Sequence, residues 1–299
     1  MAAAAESLDF AQYASTLRRQ IDAALKSHTD FGPGCPPHLA EAIRHSLLAP
    51  GKRLRPMLVL MACQACGYDS SQAIAAACSV EMIHTYSLVH DDLPAMDDDD
   101  MRRGRPSCHM KFGEATAILA GDALLAGAFE VLATGTEPPP VAARCVAELA
   151  KAAGACQLVG GQEDDLKAEF ANLGIEQLEA IHRRKTGAMI RVSLRLGGIV
   201  GQASDKQLAA LDAYGERLGL AFQIVDDLLD QEGTAAALGK RTKKDDQHGK
   251  LTFPALLGIE ESRRRAEELV AGAIDAVGIF GPKAEPLAAL AKYVIERDH

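Results

Sequence analysis

Apolar positions along this chain recur every three or four residues, and apolar/polar alternation over four or more residues is hard to find. The first spacing lines one face of a helix, and the missing alternation argues against half-buried strands. The pattern predicts helices over Phe10 to His28, Pro37 to Leu48, Arg55 to Ala65, Ser70 to Val89, Glu114 to Leu132 and Val141 to Val159. Further helices are expected over Ile175 to Arg184, Gly187 to Val200, Lys206 to Ala221, Ala221 to Leu229, Phe253 to Val277 and Pro286 to Glu296. Glycine and proline clusters at 31–37, 49–51, 67–70, 135–140 and 281–282 supply the breaks. Several segments are apolar nearly all round, as helices surrounded by other helices are. The fold class expected is all-α, a single large helical bundle over residues 1–299, with no linker long enough to divide it into domains.

Composition narrows this picture. Alanine and leucine dominate, tryptophan is absent and 48% of residues are hydrophobic, all consistent with globular helices. A formal charge of −9 and a pI near 5.5 leave no basic footprint, so no nucleic-acid partner is expected. The opening MAAAAESLDF lacks the basic, then apolar, pattern of a secretory signal, and no apolar run approaches the ~18 residues of a spanning helix. A cytoplasmic protein without a transmembrane segment is the expectation. Seven cysteines, an odd number scattered through apolar segments, read as reduced thiols. Cys63 and Cys66 form a CxxC without a second pair, which suits helix packing better than zinc or redox chemistry.

Charge patterning then raises a chemical question. HDDLPAMDDDDMRRGRPSCH, residues 90–109, places six carboxylates within ten positions of Asp91 and three arginines just after them. Asp91 and Asp92 follow an apolar helical stretch and so fall at a helix C-terminus, where acidic groups face the negative end of the dipole. A divalent cation would offset them, and oxygen donors without a cysteine cluster suit magnesium, which usually takes one or two carboxylates and completes its shell from substrate phosphates. The arginines read as a phosphate clamp. A second group, Asp226, Asp227 and Asp230, is embedded among Ile224, Val225, Leu228 and Leu229, with Asp226 and Asp230 on one helix face. Like charges so placed call for cations.

Basic residues occur in separate patches. Gly51-Lys-Arg-Leu-Arg-Pro56 presents Lys52 and Arg55 beside a helix start, a favourable place for an anion, without the GxxxxGK[ST] pattern of a P-loop. Further candidates are Arg183 to Thr186, Gly239 to Lys244 and Gly249-Lys250, each of which could also be a solvated surface. Direct basic contacts to one phosphorylated substrate, beside carboxylates that take another through metal, imply two anionic substrates held in different ways.

These residues resemble the trans-prenyltransferases, the head-to-tail isoprenyl diphosphate synthases, and are most similar to the bacterial-type farnesyl diphosphate synthases. GKRLRP looks like that family's homoallylic diphosphate motif, DDLPAMDDDDMRRGRP like its first aspartate-rich motif in the longer DDxxxxD form, and QIVDDLLD like its second. Glu81-Met-Ile-His84, Gly160-Gly-Gln-Glu-Asp-Asp165, Lys185-Thr186, Gly239-Lys240 and Gly249-Lys250 add to the match, which runs from about residue 40 to the C-terminus. The resemblance implies an isoprenoid synthase-type helical fold with a central cavity, a homodimer, and aspartate-rich motifs facing each other across the cavity mouth. It also implies magnesium, three ions with substrates bound and manganese as an alternative, held by Asp91, Asp92 and Asp97 and by Asp226, Asp227 and Asp230. Asp98 to Asp100 look like the motif's tail. By the same resemblance Arg102, Lys185 and Lys240 contact the allylic diphosphate, while Gly51, Lys52, Arg55, His84, Arg103 and Lys250 belong to substrate binding, with isopentenyl diphosphate held without metal. His84 could instead be an ordinary satisfied helix histidine.

The implied reaction is ionisation of an allylic diphosphate, attack by the double bond of isopentenyl diphosphate, and loss of a proton to the departed pyrophosphate. Thr186, the carbonyl of Lys185 and Gln223 would point oxygens at the cation. No side-chain base is required. In this family the wall below the first motif sets product length. Tyr86 lies five residues before Asp91, about 7.5 Å down a helix at 1.5 Å per residue, and points to a fifteen-carbon product, though it could be a core tyrosine. Ser87 beside it is compatible with either fifteen or twenty carbons. Thr234 to Leu238 is expected to be a mobile loop carrying Lys240. A geranylgeranyl synthase and a non-catalytic subunit of a heteromeric synthase remain as alternatives. A terpene cyclase has no use for GKRLRP, and a calcium protein would need an EF-hand loop that is absent.

Overall fold

The computed structural model describes residues 8–168, 174–237 and 252–296. These residues form an all-α structure that gathers into two compact units, residues 1–149 with 196–202, and residues 150–195 with 203–299.

In the first unit, α1 (Phe10–Ser27) is followed by α2 (Pro37–Leu47), α3 (Leu54–Ala65), a 3-10 turn (Ser70–Ala73) and α4 (Ile74–Asp91). Helix α3 is buried at nearly every position from Pro56 to Ala65, and α4 likewise from Ala75 to Ile83, as their all-round apolar sequences require. After α4 come a two-residue hairpin, β1 (Met101–Arg102) with β2 (Arg105–Pro106), then short α5 (Cys108–Phe112) and long α6 (Glu114–Gly135). Helix α4 packs most extensively against α6. Unlike the expectation from apolar runs, α6 is long and apolar enough to cross a membrane by length and composition, but one face of it is core to this unit. Its other side leaves Ile118 and Leu119 exposed, at 45% and 55%.

Chain from the first unit enters the second through α7 (Pro139–Ala153). There follow α8 (Leu158–Ala168), α9 (Ile175–His182), a π-helical turn (Arg183–Gly187), α10 (Ala188–Val200), whose last residues from Leu196 belong to the first unit, and α11 (Asp205–Ala237). After residue 251 come α12 (Phe253–Leu257), α13 (Ile259–Ala276), a 3-10 segment (Val277–Ala284) and α14 (Glu285–Glu296). Tyr214 of α11 is fully buried and donates from its hydroxyl to the Leu287 carbonyl at 2.8 Å, which satisfies the one polar atom its burial would otherwise strand.

Four expectations about element boundaries are corrected. The helix expected over Val141 to Val159 is two helices, α7 and α8, separated by turns at 154–157 in which the Gln157 amide donates to the Gly154 carbonyl. Phe253 to Val277 is broken at Gly258, whose φ of +82° a helix cannot contain. Conversely, the two helices expected to meet at Ala221 are one 33-residue helix, α11. Its glycines are places of close approach: a Cβ on Gly219 would lie 3.1 Å from Gly187 Cα, so the missing side chain lets the π-helical turn pack directly on the helix. Finally, α11 continues through 234–237, where a loop was expected; Leu238 lies outside the described residues.

Candidate active site

Helix α4 brings the first acidic motif into place. Asp91 is its last residue and Asp92 its C-cap, both buried, Asp92 to 2% exposure. The chain then turns back on itself: the amides of Asp97 and Asp99 donate to the carbonyls of Asp91 and Asp92, at 2.8 and 3.2 Å, and that of Asp98 to Leu93 at 3.2 Å. Asp98 sits at φ +51°, which aspartate tolerates better than most residues. This loop returns Asp97 to the end of the helix that carries Asp91.

The hairpin after it was not foreseen. Arg103 and Gly104 both have positive φ, +53° and +73°, the signature of a type I′ turn whose twist suits two paired strands. The turn aims its arginines in different directions. Arg102 Nε donates to Asp92 Oδ1 at 2.9 Å, and Nη2 pairs with the same oxygen and, at 3.0 Å, with Asp99 Oδ2. Burial holds the Asp92 carboxyl above the usual carboxylate pKa, against the opposing pull of the Arg102 guanidinium. Arg103 reaches back to Gly51, where a Cβ would come within 2.6 Å of its Nη1, and donates to the Ala49 carbonyl at 3.4 Å. Arg105 donates to His45 Nδ1 at 3.1 Å while His45 Nε2 lies 2.9 Å from the Pro106 carbonyl, pinning the hairpin to α2. A small cavity of about 30 Å³ lies beside these residues, between α2 and α4.

Within GKRLRP the two arginines divide their roles. Arg53 stands at φ +50° as the N-cap of α3, buried, with Nε on Asp22 Oδ1 at 2.8 Å, Nη1 on Glu81 Oε1 at 2.7 Å and Nη2 on the Ala49 carbonyl at 2.9 Å. It ties α1, α3 and α4 together and fixes the left-handed kink between Lys52 and Arg55. Exposed Lys52 and half-buried Arg55 thereby flank the start of α3. Arg55 Nη1 is 3.3 Å from His84 Nε2; since a guanidinium only donates, that nitrogen accepts and the imidazole proton belongs on Nδ1. Burial, with Arg55, Arg103, Arg102 and Arg53 nearby, holds His84 well below the usual histidine pKa. The first unit thus assembles Gly51, Arg55, His84 and Arg103 in one basic group next to the acidic motif.

In the second unit, Lys185 and Thr186 lie in the π-helical turn, an irregularity frequent at functional sites. That turn packs against α8, α9 and α11. Lys185 Nζ is 2.8 Å from Asp165 Oδ2, and Arg184 pairs with Asp164, both acids coming from α8. A Cβ on Gly161 would meet Lys185 N at 2.7 Å, so the glycine before Gln162 lets α8 touch the turn's backbone. On α11, Gly219, Gln223, Asp226 and Asp230 share the face that begins against the turn, at helical spacing. Asp227 points elsewhere: its Oδ2 accepts the Phe253 amide at 2.8 Å, the first residue of α12. Lys240 and Lys250 lie outside the described residues.

Tyr86 is 6% exposed, one and a half turns before Asp91, and Ser87 beside it is half-buried with its hydroxyl donating to the His84 carbonyl at 2.9 Å. The CxxC is helix packing here: Cys63 is buried at the end of α3, with burial pushing its thiol up to about 12.

Missed by sequence reasoning were Arg53, Glu81 as its partner, and Asp164 and Asp165 as partners of the turn. The GGQEDD run carried the signal, paired glycines for close approach followed by acids. The first motif's carboxylate oxygens are hard donors of the kind magnesium takes, and backbone hydrogen bonds return the chain at Asp97 to the end of α4, beside the arginines. Among the described residues no group of three or more His, Cys, Asp or Glu side chains is placed to hold a metal ion.

A family model described as polyprenyl synthetase matches residues 36–276. The chain is 50% identical over 268 residues to a chloroplastic geranylgeranyl pyrophosphate synthase of Catharanthus roseus, covering 88% of this chain and 75% of that protein. It is 44% identical over 299 residues to the farnesyl diphosphate synthase of Escherichia coli K12, covering 97% and 100%. Among solved structures, an apo FPP/GFPP synthase from Zymomonas mobilis superposes with a TM-score of 0.86 at 36% identity, over 96% of this chain and 99% of that one.

Proposed function

Since the chain belongs to the polyprenyl synthetase family, we propose that it is a head-to-tail prenyl diphosphate synthase that extends dimethylallyl and geranyl diphosphate with isopentenyl diphosphate and stops at the fifteen-carbon farnesyl product. The relatives are named as prenyl diphosphate synthases on both sides, and product length divides them, geranylgeranyl against farnesyl. The observation that carries the fifteen-carbon reading is Tyr86, a buried phenol one and a half turns below Asp91. A ring there would close the space into which a longer chain must grow.

Gly51, Lys52, Arg55, His84 and Arg103 are read as the isopentenyl diphosphate site, with Lys250 joining it. Neutral His84 offers its Nδ1 proton as a donor without adding charge. Asp91, Asp92 and Asp97, and Asp226, Asp227 and Asp230, are read as magnesium ligands. Magnesium, when bound, supplies the positive charge that stabilises the departing pyrophosphate. Arg102, Lys185 and Lys240 orient the allylic diphosphate. As the allylic C–O bond breaks, Thr186, the Lys185 carbonyl and Gln223 turn oxygen dipoles toward the cation. The isopentenyl double bond forms the new C–C bond, and the proton lost in re-forming a double bond goes to pyrophosphate, so no side-chain base is assigned.

Residues 1–299 are read as one polyprenyl synthetase domain. The exposed apolar side of α6 is read as the contact of a homodimer rather than as a membrane segment, and a cytoplasmic location is kept as part of the proposal. Incubation with magnesium, isopentenyl diphosphate and each allylic diphosphate of five to fifteen carbons, followed by product sizing after dephosphorylation, tests the whole. Products should stop at fifteen carbons, and Tyr86→Ala should pass on to twenty. A twenty-carbon product from the unaltered protein would overturn the farnesyl reading, and no condensation with any primer would point to a non-catalytic subunit.

A further inference from the structure

Tyr86 does not stand alone. Its ring meets the imidazole of His90, one turn on along α4, edge to face with centroids 5.8 Å apart and planes at 79°. His90 is itself fixed from behind, its Nε2 lying 3.1 Å from the Ile118 carbonyl of α6. A carbonyl only accepts, so Nε2 carries the proton and donates. The imidazole fills the space above Gly121: a Cβ there would fall 2.1 Å from His90 Nε2, 2.5 Å from Cδ2 and 2.9 Å from Cε1. No real methyl tolerates such distances. Tyr86, His90 and the α6 backbone therefore form three layers in direct contact, so a displaced imidazole has the phenol ring in its path.

We propose that His90 and Gly121 together set the depth at which Tyr86 stops the growing chain, His90 as the positioning residue behind the phenol and Gly121 as the space that lets the imidazole retreat onto α6. The inference rests on the reading of Tyr86 as the length-limiting wall. It gives two substitutions opposite effects. His90→Ala removes the backing, so the phenol can lean toward α6 and the pocket deepens. Gly121→Ala drives the imidazole off the Ile118 carbonyl and against Tyr86, so the pocket becomes shallower. A purely structural role for either residue would lower the rate without a direction in chain length.

The test compares the unaltered protein with Tyr86→Ala, His90→Ala, His90→Leu and Gly121→Ala, given magnesium, isopentenyl diphosphate and geranyl or dimethylallyl diphosphate. Product lengths are read after dephosphorylation, with thermal melts as the control for folding. His90→Ala should raise the ratio of the next longer product to the normal one about tenfold, the low end of what a methylene-scale change in an apolar pocket discriminates. His90→Leu, which restores side-chain volume without the hydrogen bond, should return most of that shift. Gly121→Ala should accumulate the next shorter product. Should Gly121→Ala fail to fold, the two His90 variants carry the test alone. If Tyr86→Ala lengthens the product while His90→Ala and a folded Gly121→Ala leave the ratio within about twofold, the inference is overturned and the Tyr86 reading stands. If Tyr86→Ala itself changes nothing, that reading falls and this one with it.

Discussion

The first acidic motif sits where helix α4 ends and depends on a loop and a hairpin to return its later carboxylates, whereas the second lies within the unbroken helix α11. In the first, Asp92 is almost fully buried and is matched by an arginine from a different element. In the second, Asp226 is half-buried and Asp230 exposed, and spacing along the helix alone aligns them. One arrangement is built by backbone conformation, and the other by periodicity. The first should therefore be vulnerable to changes far from the carboxylates themselves, and the second only to changes in the side chains.

The largest effects should fall on both alike. Asp91→Ala and Asp226→Ala should each lower kcat/KM by about 10³-fold or more, because charge stabilisation through a bound metal contributes several kcal/mol and each 1.36 kcal/mol is tenfold. If only one of them does so, a single motif carries the metal chemistry. Arg102→Leu separates the motifs next. It strands a buried carboxylate, which should lower unfolding free energy by about 2–3 kcal/mol at pH 8, below the usual loss for a buried pair because the Arg102 side chain is about a third exposed.

That loss has a definite sign with pH. Burial already raises Asp92, and without Arg102 it rises further, so the folded state binds the proton more tightly than the unfolded state does. Stability is then present below the unfolded carboxylate pKa and falls as pH rises through the folded one. Denaturant titrations of Arg102→Leu in chelator at pH 5 and pH 8 should show the smaller deficit at pH 5; equal deficits would mean Asp92 is not the group responsible.

Gly104→Val tests the backbone directly. A β-branched residue at φ +73° should lower stability by about 1–2 kcal/mol, read from the denaturation midpoint, though no carboxylate has been touched. The smallest effect on stability is expected in the second motif, where Asp227→Ala removes the acceptor of the Phe253 amide and should lower the unfolding free energy by about 1 kcal/mol, as loss of a helix cap does. A larger loss there would show that the second motif also depends on its surroundings.

The same division explains what could be read from the chain. Helices α1 to α4, α6 and α10 were legible to within a few residues because their signal, apolar helix-forming stretches bounded by turn residues, is local. So was the placing of Asp91 and Asp92 at a helix end. The hairpin was not, because Arg-Arg-Gly-Arg reads equally well as charge for a phosphate, and its strands are two residues each. Arg53 was hidden among basic neighbours; only the contacts from Asp22 and Glu81, 31 and 28 residues away, separate it from Lys52 and Arg55. The boundary expected at Ala221 is absent from α11, and the close approach of Gly187 to Gly219 is a contact between segments that the chain alone does not show. Sequence reports what a segment prefers, and these features depend on what arrives from elsewhere.

Helix α4 holds Glu81, His84, Tyr86, His90 and Asp91 on a single rigid rod, each separated by a fixed number of residues. One inserted residue between Glu81 and Asp91 would swing everything beyond it by about 100° and advance it about 1.5 Å, uncoupling the anchor of Arg53 from the acidic motif. Helix α4 can therefore change a letter more readily than its length, because length is what keeps the anchor and the acidic motif in phase.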